Sequence, residues 1–412
     1  MSIGLSAYFD RDYLQAIQHF ERAADTLSEE QPGDEISAHV SPAGEALIYF
    51  YLGRTNHALG NIEEGQSYLM RAQAANPEEP AIPLGLALGY GSLGQEDEKS
   101  KSLENSLELL NRWLGRYPDD AEARYDRGII FQILGKHQDA IFDFEQALQI
   151  DPGFYIAFIS LAQSQSELGR YEQAFEVLPT AISKAGQTGI NPSWAHLNLA
   201  IIYEKANKPE EANRAYLEAI NLDPESSSMF YHYGQFLEKQ GQTDTALEIY
   251  MQMVQVANDK GWAYGTLAGF LSQRNLLDEA LKYYQLAVHE KDEDALLHAN
   301  LADTYFRLGQ VESALEEFEI AIQKNDQIPY IHAVYAGALF QEGEYARAAE
   351  FYEQALRIQP SDSKIMLNLG TTYERLEDFA AAEDLYLTII ENSDNYPPED
   401  VALAEQRLQA LR

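Results

Sequence analysis

Cysteine is absent from this sequence of 412 residues. Its absence excludes disulfides, thiolate metal sites and cysteine nucleophiles, and it leaves the redox compartment undecided. A run of roughly 18 apolar residues, the length that crosses a bilayer, is also missing. We therefore expect no direct membrane insertion of this segment. The N-terminus lacks the basic patch and apolar core of a signal peptide.

Basic residues are scarce, since 29 Lys and Arg stand against 66 Asp and Glu, for a net charge of −37. A field of that sign repels phosphate backbones, so we expect no nucleic-acid partner. The charge has two interpretations: a preference for basic partners, or simply the solubility of a long molecule with a large surface. Aromatic residues are plentiful, with 26 Tyr and 17 Phe, which is typical of a chain with a buried core.

A fixed period organises the chain from Ser193 onward. Alanines recur at one constant step, and an aromatic residue follows each of them by four positions. The alanines are Ala212, Ala246, Ala280, Ala314, Ala348 and Ala382, and the aromatics are Tyr216, Tyr250, Tyr284, Phe318, Tyr352 and Tyr386. A spacing of four puts both side chains on one helix face. Another small residue, such as Ala200 or Gly234, lies twelve positions before each alanine. Each period therefore predicts two short helices.

Glycines such as Gly309 and Gly343 fall between the two predicted helices of a period. Glycine there can take the left-handed conformation that ends a helix. The small residues let the paired helices approach, and the aromatic side chain fills the space that remains. Neither helix can bury its apolar stripe alone, so we expect stability to come from stacked neighbours.

The pattern before Ser193 is less regular. Ala16, Phe20 and Ala23, preceded by Gly4, match the second half of a period. One period is stretched by an insertion at 95–101, which we place between its two helices, and another is followed by a short insertion around 186–189.

These features resemble the tetratricopeptide repeat (TPR) family, whose repeating unit is about 34 residues long. Its small residues stand at positions 8 and 20, an aromatic at 24, alanine at 27 and often proline at 32. Pro77, Pro118, Pro152, Pro224 and Pro360 stand at that last position. The resemblance covers about eleven units. It implies an all-α fold, an α-solenoid in which antiparallel helix pairs form a right-handed TPR superhelix.

The expected organisation follows from this register. Residues 1–27 form a partial repeat, 46–120 two irregular units with the insertion, 121–188 two units, 193–396 six contiguous units, and 398–412 a capping helix. The first repeat begins truncated, which suggests a fragment of a longer protein or a chain without its targeting segment. The compartment stays open, with the cytoplasm slightly favoured.

Apparent chemical motifs lose their meaning in this register. Gly89, Gly91 and Gly94 spell G-x-G-x-x-G, but no strand is predicted before them, as a dinucleotide site requires. His196, His298 and His332 share the fourth position of their repeats, roughly 10 Å apart where repeats are adjacent, too far to share an ion. The simpler interpretation is that these histidine rings pack at a position that a bulky side chain usually occupies. No paired set of catalytic residues is visible in the sequence. We therefore expect that this chain is not an enzyme and binds no cofactor or metal.

The resemblance implies that positions 2, 5, 9 and 12 of each first helix face the concave surface, and that an asparagine at position 6 sometimes grips a peptide backbone. Here the asparagines are not in consecutive repeats, so they predict no continuous ladder. The predicted partner-binding residues are Tyr125, Ile129, Ile159, Trp194, Leu197, Asn198, Ile201, Tyr231, Gln235, Trp262, Asn300, Phe306, Tyr330 and Phe340. Packing of some of these side chains against neighbouring repeats is the alternative interpretation.

The function predicted from this surface is a non-catalytic scaffold that binds a partner protein or peptide, a basic one if the negative charge reflects partner preference. Two alternatives stay open. One is a structural element that associates with further copies of itself. The other is the interaction domain of a larger protein, enzymatic or anchored to a membrane.

Overall fold

A computed structural model describes residues 13–29 and 42–411. Within those ranges the chain forms α-helices, turns and one short 3-10 helix, and no strand is present. Consecutive helices pack as antiparallel pairs, each pair corresponding to one repeat. This confirms the all-α solenoid predicted from the sequence period.

The chain divides into two compact units, the first ending at Leu222 and the second beginning at Asp223. The division falls inside the stretch 193–396. Unit 1 contains α1 (Tyr13–Glu29), α2 (Pro42–Leu59), α3 (Ile62–Ala75), α4 (Ala81–Ser92), α5 (Glu96–Arg116), α6 (Ala121–Ile133), α7 (His137–Ile150), α8 (Tyr155–Glu167), α9 (Tyr171–Thr188), α10 (Ser193–Lys205) and α11 (Pro209–Leu222).

Unit 2 continues the same alternation of first and second helices. It contains α12 (Ser227–Lys239), α13 (Thr243–Val256), α14 (Lys260–Gln273), α15 (Leu277–Glu290), α16 (Ala295–Arg307), α17 (Val311–Lys324), α18 (Pro329–Gln341), α19 (Tyr345–Ile358), α20 (Ser363–Arg375), α21 (Phe379–Glu391), the 3-10 helix Ser393–Asn395 and α22 (Pro398–Leu411). The last helix packs Ala404 and Leu408 into one cluster with Tyr386 and Ile389 of α21.

The periodic residues form the core. All six recurring alanines have no exposed surface, and the aromatic four residues later is buried in each case. Gly234 shows why the paired position is small: a Cβ there would lie 2.6 Å from the Tyr250 ring. Gly370 meets Tyr386 in the same way, and Gly128 meets Phe144. In these three repeats the second helix therefore approaches the first so closely that only a hydrogen atom fits, whereas other repeats accommodate alanine at this position.

The turn inside each pair requires a left-handed residue. Gly309 and Gly343 have φ of 75° and 82°, as predicted. Asn207, Asn275 and Glu377 adopt the same conformation at the equivalent turns, with φ of 55°, 59° and 61°. Asparagine tolerates this region, whereas glutamate is sterically strained in it.

Both insertions of the irregular part extend a second helix. The insertion at 95–101 does not form a loop between helices, because α5 already begins at Glu96. The extra residues instead lengthen the second helix to 21 residues. Around 186–189, α9 is extended to Thr188 and ends at Gly189, whose φ is 75°. Extension of a helix is favoured because each added residue gains a backbone hydrogen bond. Gly4 lies outside the described residues, while Ala16 and Phe20 are buried on α1.

Candidate functional site

Each unit has a groove on the face formed by its first helices. The groove of unit 1, which we call the amide groove, has a volume of about 350 Å³. It is lined by Gln132, His137, Gln163, Ser166, Glu167, Asn198, Ile201, Ile202 and Lys205. The groove of unit 2, the tyrosine groove, has a volume of about 510 Å³. Its lining includes Tyr231, Gln235, Glu238, Tyr250, Gly265, Gly269, Ser272, Tyr284, Asn300, Asp303, Arg307 and Tyr330.

Three side-chain amides form a ladder across α6, α8 and α10 in the amide groove. Gln132 Nε2 donates to Gln163 Oε1 at 3.5 Å and to Ser164 Oγ at 3.2 Å. Gln163 Nε2 donates to Asn198 Oδ1 at 2.7 Å, and Asn198 Nδ2 donates to the carbonyl of Trp194 at 2.8 Å. A primary amide has two N–H donors and an oxygen with two lone pairs, so the ladder leaves each amide with bonding capacity for a ligand.

Two further polar atoms of the amide groove are buried without a hydrogen-bond partner among the described residues. They are the hydroxyl of Ser166 and Nδ1 of His137. Burying a polar atom without a partner is unfavourable, so such atoms mark places where a ligand or water completes the bonding. Beside them, Lys205 pairs with Glu167, which neutralises the charge at this edge.

The tyrosine groove is walled by aromatic hydroxyls. Tyr231 OH accepts a hydrogen bond from Gln235 Nε2 at 2.8 Å, and Tyr330 OH donates to Asn300 Oδ1 at 3.0 Å. The hydroxyl of Tyr250 donates to Glu238. Burial raises the pKa of Tyr250, and the neighbouring carboxylate of Glu238 raises it further, so this hydroxyl stays a donor.

The floor of the tyrosine groove is open because α14 carries glycines there. Gly265 and Gly269 occupy the fifth and ninth positions of a repeat that begins at Gly261. A Cβ at Gly265 would clash with Leu297 Cδ2 at 2.7 Å, so packing explains that glycine. A Cβ at Gly269 would meet only Tyr284 OH, at 3.5 Å. The missing side chain at Gly269 therefore enlarges the groove without being needed for packing.

Two carboxylates lie in the tyrosine groove in different surroundings. Glu238 is bound by the Tyr250 hydroxyl and by Arg274 Nη2 at 3.0 Å. Asp303 has Arg307 as its ion-pair partner, at 3.7 Å. Burial raises the pKa of Asp303, and the charge of Arg307 only partly opposes the effect.

The structure distributes the predicted site residues unevenly. Tyr231, Gln235, Asn300 and Tyr330 line the tyrosine groove, and Asn198 and Ile201 line the amide groove. The Trp262 ring packs on Tyr231 with centroids 5.2 Å apart. Four others are part of the packing: Trp194, Ile129, Phe306 and Phe340 are half-buried against core clusters. Tyr125 is half-buried too, and its ring contacts Phe144 and Phe154.

The expectation that Ile159 and Leu197 line an open surface is wrong. Both are buried, with 6% and 1% of their surface exposed. Both occupy the fifth position of a first helix, and Ile159 lies in a cluster with Ala195 and Ile202 of the following first helix. In these two repeats the side chain at position 5 is therefore part of the packed interior.

Two of the three predicted histidines, His298 and His332, have structural roles. His298 is buried, with Nδ1 2.6 Å from Glu317 and Nε2 2.9 Å from the carbonyl of Asp292. His332 is buried with Nε2 2.7 Å from the carbonyl of Asp326. Within residues 13–29 and 42–411 no group of ligating side chains could hold a metal ion.

The glycine motif also has a packing explanation. Gly89 lies near the end of α4, where a Cβ would be 2.3 Å from Gln66 Oε1. Gly94 follows in the turn, with φ of 69°. The pattern G-x-G-x-x-G here belongs to a helix end and its turn, which is not the strand–turn–helix context of a dinucleotide site.

Sequence reasoning missed the ladder and the charged part of the tyrosine groove. The ladder uses position 12 of α6, position 9 of α8 and position 6 of α10, so comparing identical positions could not reveal it. A signal for the second groove did exist: Gly265 and Gly269 stand where side chains of other repeats face inward.

Sequence profiles of the tetratricopeptide repeat match residues 46–79, 121–154, 197–261, 299–363 and 339–408. Together they cover more than half of the chain. The chain belongs to the tetratricopeptide-repeat family. A TPR chain with this helical solenoid is a protein–protein interaction scaffold, and proteins of the family bind proteins or peptides.

Curated relatives resemble parts of this TPR chain. A protein CTR9 homolog of Arabidopsis thaliana is 29% identical over 144 residues, which are 34% of this chain and 13% of that protein. Human tetratricopeptide repeat protein 6 is 24% identical over 189 residues, 44% of this chain and 34% of that protein. The matches thus span about a third or less of either relative's length.

Among solved structures, yeast Tom70 superposes with a TM-score of 0.52 at 16% identity, covering 100% of this TPR chain and 94% of that one. This similarity shows the fold alone. In the part of the chain that the structure describes, no helix is both long and apolar enough to cross a membrane.

Proposed function

We propose that this TPR chain is a non-catalytic scaffold that binds an extended segment of a partner protein on the face of its first helices, with the tyrosine groove as the main contact. The observation that carries the proposal is the open floor at Gly269. No packing contact requires a glycine at that position, yet its missing side chain leaves room in a groove walled by Tyr231 and Tyr330.

The chemistry of the grooves suits a peptide. Aromatic walls offer large contact area with little entropy to lose, and hydroxyl and amide groups supply directional bonds. In the amide groove, the ladder and the unpartnered Ser166 hydroxyl offer groups that can bond a peptide backbone, whose N–H and C=O groups need partners wherever they are buried.

Binding without chemistry is proposed because Glu238 and Arg307, two charged groups of the tyrosine groove, are already held by hydrogen bonds within the unit. Glu238 is held by Tyr250 and Arg274, and Arg307 donates to Ser272 Oγ at 2.7 Å. Such contacts fix the shape of the groove.

The test is a groove-blocking variant, Gly269→Leu, in the full chain. Dodecapeptides are selected on the wild-type protein from a random phage-displayed library, and their affinities are measured by fluorescence polarisation. We expect most selected peptides to bind the variant at least about tenfold more weakly, because leucine occupies the floor of the groove. Gly115→Leu is the matched control: it adds the same side chain to an exposed position of α5 where a Cβ meets nothing within 4 Å.

A second variant, Tyr330→Ala, tests the same groove in case Gly269→Leu does not fold. Tyr330 is 46% exposed, so its removal should leave the fold intact while taking away one wall. If both folded variants bind every selected peptide as well as the wild type does, the tyrosine groove is not the binding site.

A further inference from the structure

Asp303 stands out among the groups of the tyrosine groove because its carboxylate is poorly compensated. It lies on α16, half-buried, and its nearest cation is Arg307 in the next helical turn, with Nη1 3.7 Å from Oδ2. That distance exceeds a hydrogen bond. Burial accordingly raises the pKa of Asp303, although Arg307 opposes the effect.

Arg307 is not free to move closer, because its guanidinium is committed to α14 and the turn after it. Nη1 donates to Ser272 Oγ at 2.7 Å, and Nη2 donates to the carbonyl of Ser272 at 3.0 Å and to Asn275 Oδ1 at 3.3 Å. Glu238 differs, because its carboxylate accepts hydrogen bonds from Arg274 Nη2 at 3.0 Å and from the Tyr250 hydroxyl. Asp303 is therefore the carboxylate in this groove with capacity for another cation.

Aromatic side chains line the same groove as Asp303. Tyr330 is 46% exposed and lines the groove with Asp303, while Tyr231 lines it from α12 and carries Trp262 on its ring. Ring faces attract cations, most strongly where water is excluded. Gly269 leaves the space below them open.

Resting on the proposed function, we infer that the tyrosine groove binds an arginine side chain of the partner segment, with the guanidinium on Asp303 and the aliphatic stem between Tyr231 and Tyr330. Arginine fits better than lysine, because its planar fork can bond a carboxylate through two N–H groups while stacking on a ring. The net charge of −37 favours the approach of such a segment.

The experiment is a double-mutant cycle on the peptides whose binding Gly269→Leu weakens. We expect arginine to be enriched at one position of these peptides. Replacing that arginine with citrulline, its neutral analogue, should weaken binding to the wild-type protein by about 10- to 100-fold, the range for a charged hydrogen-bonded pair. In Asp303→Asn, binding of the arginine peptide should fall by a similar factor, and arginine and citrulline peptides should then bind alike.

Asp278→Asn is the matched control, since it removes one negative charge from an exposed position of α15 outside the groove. It should keep the full preference for arginine over citrulline. If Asp303→Asn keeps that preference too, or if the groove-dependent peptides contain no enriched arginine, the inference is wrong while the proposed groove stands. Selection of no groove-dependent peptide would overturn both.

Discussion

The two units stabilise their inner polar groups in different ways. In unit 1, amides on α6, α8 and α10 bond to one another across three repeats. In unit 2, the carboxylate of Asp303 faces a groove walled by aromatic rings. The first arrangement presents neutral donors and acceptors along a line, and the second presents a charge among aromatic faces. These arrangements agree with the proposal that unit 1 contacts the backbone of a partner segment and unit 2 holds one of its side chains.

The same contrast extends to the charged pairs. In unit 1, Asp143 is fully buried and receives Arg127 through two bonds of 2.7 Å. In unit 2, the Asp303–Arg307 pair is longer and more exposed, with side chains 40% and 34% exposed. A buried charge depends on its partner far more than an exposed one does.

The largest expected effect is therefore the loss of the Arg127 side chain. Arg127→Met leaves the Asp143 carboxylate buried with only Arg124, at 3.8 Å, and should lower the free energy of unfolding by about 3–5 kcal/mol. Urea titration followed by circular dichroism measures it. Arg307→Met in unit 2 is the comparison: its ion pair contributes less than about 1 kcal/mol, and even with the bonds to Ser272 and Asn275 the total loss should stay below that of Arg127→Met. Equal losses in the two variants would remove the distinction between the units.

The next effect concerns Asp126 on α6, whose pKa burial raises to about 7, with Glu122, Asp120 and Glu79 adding to the shift and Arg54 opposing it. Because the folded-state pKa is raised, this group's contribution to stability is present at low pH and is lost as the pH rises toward 7. Asp126→Asn should therefore be more stable than the wild type at about pH 8, by on the order of 4 kcal/mol, with a difference about half as large at about pH 5.5.

Urea unfolding of both proteins at the two pH values measures this difference. Asp139→Asn, at an exposed position of α7, is the control and should show no such change. A difference that stays constant between the two pH values would show that Asp126 does not titrate in this range.

The smallest expected effects are changes of opposite sign in the free energy of unfolding when two glycines of unit 2 are replaced by alanine. Gly234→Ala brings a methyl group within 2.6 Å of the Tyr250 ring and should lower the free energy of unfolding by roughly 1–2 kcal/mol. Gly269→Ala meets only a hydroxyl at 3.5 Å and should raise it by roughly 0.5–1 kcal/mol, because alanine favours the helix. Thermal unfolding of both variants measures the pair. Destabilisation by Gly269→Ala would mean that the groove floor is a packing requirement after all.

Much of the fold could be predicted because the same residue types recur at a few fixed positions of every repeat. Alanines at a constant step, such as Ala246 and Ala280, mark where helices touch, and both are fully buried. The turns could be predicted for the same reason, since Gly309 has the left-handed conformation that its position in the repeat predicts. Periodic packing is local, so it is written into sequence at fixed spacing.

The grooves were harder to predict because they depend on contacts between repeats. Leu197 shares position 5 with Tyr231, yet Leu197 is buried and Tyr231 lines a groove. Whether a side chain at this position reaches the surface depends on its size and on the neighbouring helix. The bond from Gln163 to Asn198 joins different positions of successive helices, so position-by-position comparison could not find it.

The amide ladder has a limited length by construction. It moves back by three residues at each repeat, from the twelfth position of α6 to the sixth of α10, while a first helix such as α6 has 13 residues. A line that drifts in this way leaves the helix after about four repeats. A partner backbone bound along this oblique path, as we propose, would therefore have a maximum length, fixed by helix length and drift and independent of how many repeats the chain contains.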